Sequence, residues 1–179
     1  MKSSLLRVEK NLGSAPLEKS VIDGAAVLSL PFSERSKSRL RVWTGNGQEL
    51  AIFMERGAVL RDGDILQAVD GSYIRVEAAP EAVLQATAPS PLDMTKAAFH
   101  LGNRHTPVQI GSGFIRLEYD SVLEDMLKKL GLTVERTELP FQPEAGAYAG
   151  GHHHGHEETF IEDYALAQDL YQHHLHKKS

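Results

Sequence analysis

Short runs in which apolar and polar residues alternate fill the chain up to about Pro80. "AAVLSLPF", "RLRVWT", "QELAIFM" and "ILQAVDGSYIRVEAAP" are rich in Val, Ile, Leu and aromatics. They are separated by "TGNGQ", "ERGAVLRDGD" and "VDGSY", segments that place Gly or Asn where a positive φ is needed. Asp70-Gly71 between "LQAV" and "SYIRV" is the strongest hairpin signal of this half. No segment here repeats at 3.6 residues, so residues 1–80 are expected to form a small all-β domain. Asp62 and Asp64 share one Gly turn, and they read as turn chemistry, because Asp bonds its own backbone in such places.

Past "EAAPEA" the pattern changes. "AVLQATA" (82–88) is strand-like, and "PSPLDMTKAAFHLGNRH" then puts Met94, Ala97, Ala98 and Leu101 on one helical face. Ser90 is a natural cap, Pro91 suits the first turn, and Asp93 suits its positive end. Gly102-Asn103 is the expected left-handed stop. "PVQI" and "FIRLEY" predict two strands joined through Gly111-Ser112-Gly113. "DSVLEDMLKKLGL" predicts a second helix capped by Asp120, with Val122, Leu123, Met126, Leu127 and Leu130 inward and Gly131 at its end. "TVERTELPF" predicts a closing strand. The expected class is α+β, with a ferredoxin-like βαββαβ domain over 81–141. Residues 142–179 form a His-rich tail, expected to be flexible because its Gly/Ala/His composition cannot pack a core, apart from weak helical periodicity in "ETFIEDYALAQDLYQHHLHKKS".

Composition narrows the function. With 41% hydrophobic and 24% charged residues and a formal net charge of −5, the 179-residue chain reads as soluble and globular, without the basic excess of a nucleic-acid binder. It has no apolar run of membrane-spanning length and no signal-peptide core. It also has no cysteine. A cytoplasmic protein is therefore expected.

The histidines stand out: nine in all, seven of them at or after His152. Imidazole suits nickel, zinc and copper, whereas the lack of thiolates disfavours a structural zinc site. His105 falls in the loop beyond the first helix, accessible and next to the partial negative charge of a helix C-terminus. A single His in that place is more often a charge partner than a ligand. A two-fold dimer setting His105 against its mate would supply two ligands at once. His100 lies on the helix about 120° from the Met94/Leu101 face, at about 100° per residue. Phe99 is farther round still, so the Phe99/His100 side is a candidate subunit contact. "HHHGHEE" adds His152, His153, His154 and His156, a segment that alone would bind divalent metal with modest affinity. A purification tag would not be interrupted as "HHHGH" and "HHLH" are. No His-Glu-x-x-His, Gly-x-Ser-x-Gly or Gly-x₄-Gly-Lys-Ser/Thr motif is present, and no enzymatic activity is expected.

The block Gly102-Asn103-Arg104-His105, with "AAFHL" before it, "PVQI" after it, the later "VLEDML" and "FQPEAGAY" leading into the tail, resembles the UreE family of urease accessory proteins, nickel metallochaperones of urease maturation. The resemblance implies a β domain that contacts protein partners and a ferredoxin-like domain that dimerises. It implies one Ni(II) between two subunits on the histidine at 105, with tail histidines His152, His153, His154 and His156 completing or supplementing the site and His100 of lesser consequence. The implied partners are urease apoprotein and the accessory GTPase of the maturation complex. Some family members carry further histidines at the segment matching "LEYDSVL", where this chain has Tyr119 and Ser121. The expectation is a homodimeric, non-catalytic nickel-delivery protein. Two other readings are weighed: a buffer for nickel, zinc or copper without delivery, and a zinc hydrolase, for which no fixed carboxylate is marked.

Overall fold

In the computed structural model, which describes residues 5–14 and 18–145, strand alternation produces two sheets in sequence order. The first is assembled from β1 (Leu6–Asn11), β2 (Ala26–Leu30), β3 (Arg39–Trp43), β4 (Glu49–Phe53), β5 (Ile65–Ala68) and β6 (Tyr73–Ala78), in the order β2-β6-β5-β1-β4-β3. Its two end strands come together where Gly45 N–H donates to the Val27 carbonyl at 3.1 Å, so the sheet curls almost into a barrel. The inward positions of each strand, among them Val8, Leu28, Leu50, Ile52, Leu66 and Val76, fill the interior. The predicted hairpin joins β5 to β6: Gly71 takes φ 88°, and the Asp70 carboxylate accepts from Ser72 N–H at 2.9 Å. Asp64 does the turn work expected of it, accepting from Arg61 N–H (2.9 Å), whereas Asp62 reaches out of the turn to accept from Ala78 N–H at the end of β6 (2.8 Å).

Two helices correct the all-β reading of this half. α1 (Lys19–Gly24) and α2 (Phe32–Arg35) span six and four residues. One turn cannot display an apolar periodicity, so sequence pattern does not reveal such helices. The pattern also passes over β1, whose residues after Val8 are polar and exposed.

The second sheet has the element order β7 (Pro80–Thr87), α3 (Pro91–Gly102), β8 (Gln109–Gly111), β9 (Phe114–Glu118), α4 (Ser121–Lys129), β10 (Thr133–Pro140). The strands lie in the order β10-β7-β9-β8, every neighbour antiparallel. Both helices pack on one face, closing a core of Leu84, Ala86, Ala97, Leu101, Leu117 and Leu127 with their neighbours. At the β8–β9 turn Gly113 takes φ 83°, and the Phe114 ring lies over Gly111, where an added Cβ would come within 2.1 Å of it.

One expected core position is corrected. Val122 is 73% exposed, and Glu124 is the residue of α4 that turns inward. Its carboxylate receives Arg136 Nε at 2.8 Å and Lys128 Nζ at 2.6 Å, tying α4 to β10. The hydrogen bond from Arg136 first, then that from Lys128, hold this carboxyl below its ordinary range. Its stabilising effect is therefore complete above the unfolded carboxylate range and is lost as pH falls through the lowered native value. Glu124→Gln is expected to be less stable than wild type at pH 7, and the gap should shrink as urea titrations move to strongly acid pH. A gap independent of pH would mean the ion pair is not its source.

The sheets are joined through Arg35. Its side chain is fully buried, and its guanidinium donates to the Leu30 and Leu60 carbonyls (3.1 and 3.0 Å) of the first half. From the second half it takes Gln142 Oε1 at 2.8 Å and the Phe141 carbonyl. Phe141 is itself buried, its ring edge-on to Phe32 at 5.5 Å. Among the described residues no helix is long and apolar enough to cross a membrane. The tail expected to lose order from residue 142 is still held at its start, where Gln142 meets Arg35 and Glu144 N–H donates to the Val108 carbonyl at 2.8 Å. The weak helical periodicity from Glu158 and the seven tail histidines lie outside the described residues.

Candidate metal centre

Two histidines fall within the described residues, His100 and His105, and α3 positions both. The helix starts as its sequence dictates. Ser90 caps it by accepting from Asp93 N–H, and Pro91 occupies the first turn. Its end is different from the expectation. Gly102 is helical and Asn103 keeps helical angles (φ −63°, ψ −14°), so neither is the left-handed stop. That place belongs to His105, at φ 52°, while its N–H donates to the Gly102 carbonyl at 2.9 Å and Thr106 N–H reaches back to Leu101 at 3.4 Å. This pair of bonds is a Schellman ending, with His105 at the position that glycine normally fills.

α4 supplies the comparison within the same molecule. There Gly131 N–H bonds the Lys128 carbonyl at 3.0 Å and Leu132 N–H bonds Leu127 at 3.1 Å, with Gly131 at φ 88°. The same ending is thus built twice, once with glycine and once with histidine. A side chain in the left-handed region costs roughly 1 kcal/mol relative to glycine. Nothing in the fold of α3 requires that cost. His105 is exposed and "GNRH" presents its imidazole at the helix terminus, where aligned carbonyls favour a cation.

His100 sits one turn earlier and is half-buried. Its ring meets Phe99 edge-on at 5.5 Å, and its carbonyl accepts from Arg104 Nη1 at 2.9 Å. Sequence pattern did not single out that Arg104 bond, which fastens the last turn of α3. His100 and Arg104 line a shallow groove of about 420 Å³ against Val122, Asp125, Met126 and Lys129 of α4. Phe99 points outward, 64% exposed. Among the described residues no group of three or more His, Cys, Asp or Glu side chains is gathered as a metal site. His105 therefore offers one donor from this chain's described part, whereas a held transition metal takes several.

Known proteins resemble the chain along nearly its whole length. Residues 11–79 match the UreE urease accessory protein N-terminal domain, and residues 81–178 its C-terminal domain. The urease accessory protein UreE of Cupriavidus necator is 56% identical over 174 residues, covering 95% of this chain and 89% of the relative. Proteins of the same description from Burkholderia thailandensis and Paraburkholderia xenovorans are 56% and 55% identical over 158 and 154 residues, covering 88% and 86% of this chain and 74% and 68% of theirs. The chain belongs to the UreE family of urease accessory proteins, and it is an accessory protein rather than an enzyme.

Proposed function

We propose that the protein binds Ni(II) and delivers it to urease apoprotein, working as a homodimer with the accessory GTPase of the maturation complex. The observation that carries this reading is His105 in a left-handed position that glycine fills at the sister helix. A conformational cost retained at an exposed imidazole is best explained by a ligand that imidazole binds. Two copies of His105 across a two-fold axis give one shared ion two donors, and the exposed Phe99, next to His100 on the same helix, gives that axis an apolar contact. His152, His153, His154 and His156 supply further imidazoles, and His100 contributes less. The same donors accept zinc or copper. In this reading residues 1–80 form the partner-binding domain and residues 81–141 a ferredoxin-like domain for metal and dimer. Residues 142–179 are the metal-binding tail. The strand order β10-β7-β9-β8 supports the ferredoxin-like assignment.

A chaperone and a storage protein part ways once the metal is bound. Chain loaded with one nickel per dimer should activate purified urease apoprotein in the presence of the GTPase, whereas a buffer would leave it inactive. A form ending at Gly150 should bind fewer metals, stay dimeric and still deliver its remaining ion. An unchanged nickel count in calorimetry would remove the tail from the reading.

A further inference from the structure

The outer face of β1, β4 and β3 carries a set of side chains that metal binding does not use. Register places Arg7 beside Ala51 and Ala51 beside Arg41, with Trp43 opposite Glu49 and Arg39 opposite Phe53. The alternation that sends Val8, Leu50 and Ile52 inward sends these residues out. Val69 N–H bonds the Arg7 carbonyl at 3.0 Å, which brings Val69 to the rim of the same face. Trp43 is 61% exposed and Val69 65%; Phe53 is partly sheltered by the Arg7 guanidinium, 4.7 Å from its ring centre.

One exposed apolar side chain needs no explanation, but an exposed Trp, Phe and Val interleaved with three arginines on one sheet face has the composition of a binding hot spot. Two of the arginines are held in place by carboxylates of the same face, Arg7 by Glu9 and Arg41 by Glu49 at 2.6 Å. Arg39 has no such ion pair among the described residues. The face is thus net positive on a chain of formal charge −5. Placed against its own copy it would oppose like charges, so it does not suit self-association.

We propose that this face docks an acidic protein partner, with Trp43 as the apolar anchor and Arg39 as the free charge. The inference rests on the reading that the chain hands its cargo to other proteins. It is tested with the full-length chain, using urease apoprotein and the maturation GTPase separately as probes. Trp43→Ala should raise the Kd for one of them at least tenfold, and Trp43→Phe should recover part of the loss. Arg39→Glu should weaken the same complex and flatten its dependence on salt. Both positions lie off the core. If Trp43→Ala nevertheless lowers the melting temperature, Arg39→Glu alone decides. Unchanged binding of both probes by both variants, with nickel delivery intact, overturns this face and leaves the delivery reading standing. A smaller particle for Trp43→Ala in light scattering would place a second copy there and overturn it too. If the wild-type chain binds neither probe, both readings fall.

Discussion

His105→Gly is expected to abolish tight nickel binding while leaving the protein as stable as wild type or up to about 1 kcal/mol more so. The two effects have separate causes. Stability responds to the backbone: at φ 52° a Cβ is strained, and glycine removes the strain at some cost in unfolded-state entropy. Binding responds to the imidazole, and if two copies share one ion, a single substitution removes both donors. Losing an outer-shell partner of a metal ligand already costs about 10–100-fold, so losing the ligands themselves should cost on the order of 100-fold or more. A series sharpens the test. His105→Asn, which tolerates the left-handed region, should stay close to Gly in stability, and His105→Ala should be the least stable of the three. All three should lose the tight site equally, and His100→Ala should lose far less. Imidazole binds a metal only when neutral, so wild-type binding should also weaken on acidification. Nickel calorimetry and thermal melts on one set of variants suffice. Tight binding by His105→Gly would mean the ion is held elsewhere, and a drop in its stability would refute the strain.

The same residue shows where sequence pattern stops. "GNRH" offers Gly102 and Asn103 as the two best left-handed residues, and both remain helical. The helix runs on until the Leu101 and Gly102 carbonyls find donors, and that register is a property of packing Leu101 into the core. Every strand but β1, and both long helices, announce themselves because burial imposes a period on them, and Ser90, Asp120 and Gly131 cap or end the helices as expected. The period fails at Val122 and Glu124. Two cations from Lys128 and Arg136 make burial of a carboxylate tolerable, which hydrophobicity alone cannot foresee. Arg35 lies further beyond reach. Nothing in "FSERS" marks Arg35 for burial, and two of the acceptors that bury its guanidinium lie 106 and 107 residues away.

Removing that guanidinium is the largest stability change expected in the molecule. Arg35→Met keeps most of the apolar stem but leaves the Leu60 and Phe141 carbonyls without a donor in a buried place, while the Leu30 carbonyl keeps only the Ala79 N–H at 2.9 Å and Gln142 Oε1 only the Asp62 N–H at 3.1 Å. Each of the two orphaned groups costs roughly 1–3 kcal/mol, which sums to about 2 kcal/mol or more. An opposing effect exists: burial pushes the Arg35 pKa down, so the cation is unfavourable to desolvate, and apolar replacement of buried charge is sometimes neutral. The acceptors decide the balance. They are backbone carbonyls that methionine cannot satisfy, and Glu81, Asp62 and Asp64, whose fields favour the cation, would lose it. Arg35→Lys should fall between, because one ammonium cannot present the planar fork that reaches four acceptors. The urea midpoint should therefore fall in the order wild type, Lys, Met. Nickel bound per chain should not change where the variants remain folded, since none of the clamp's residues is a proposed ligand. A methionine variant as stable as wild type would show that desolvation outweighs the four hydrogen bonds.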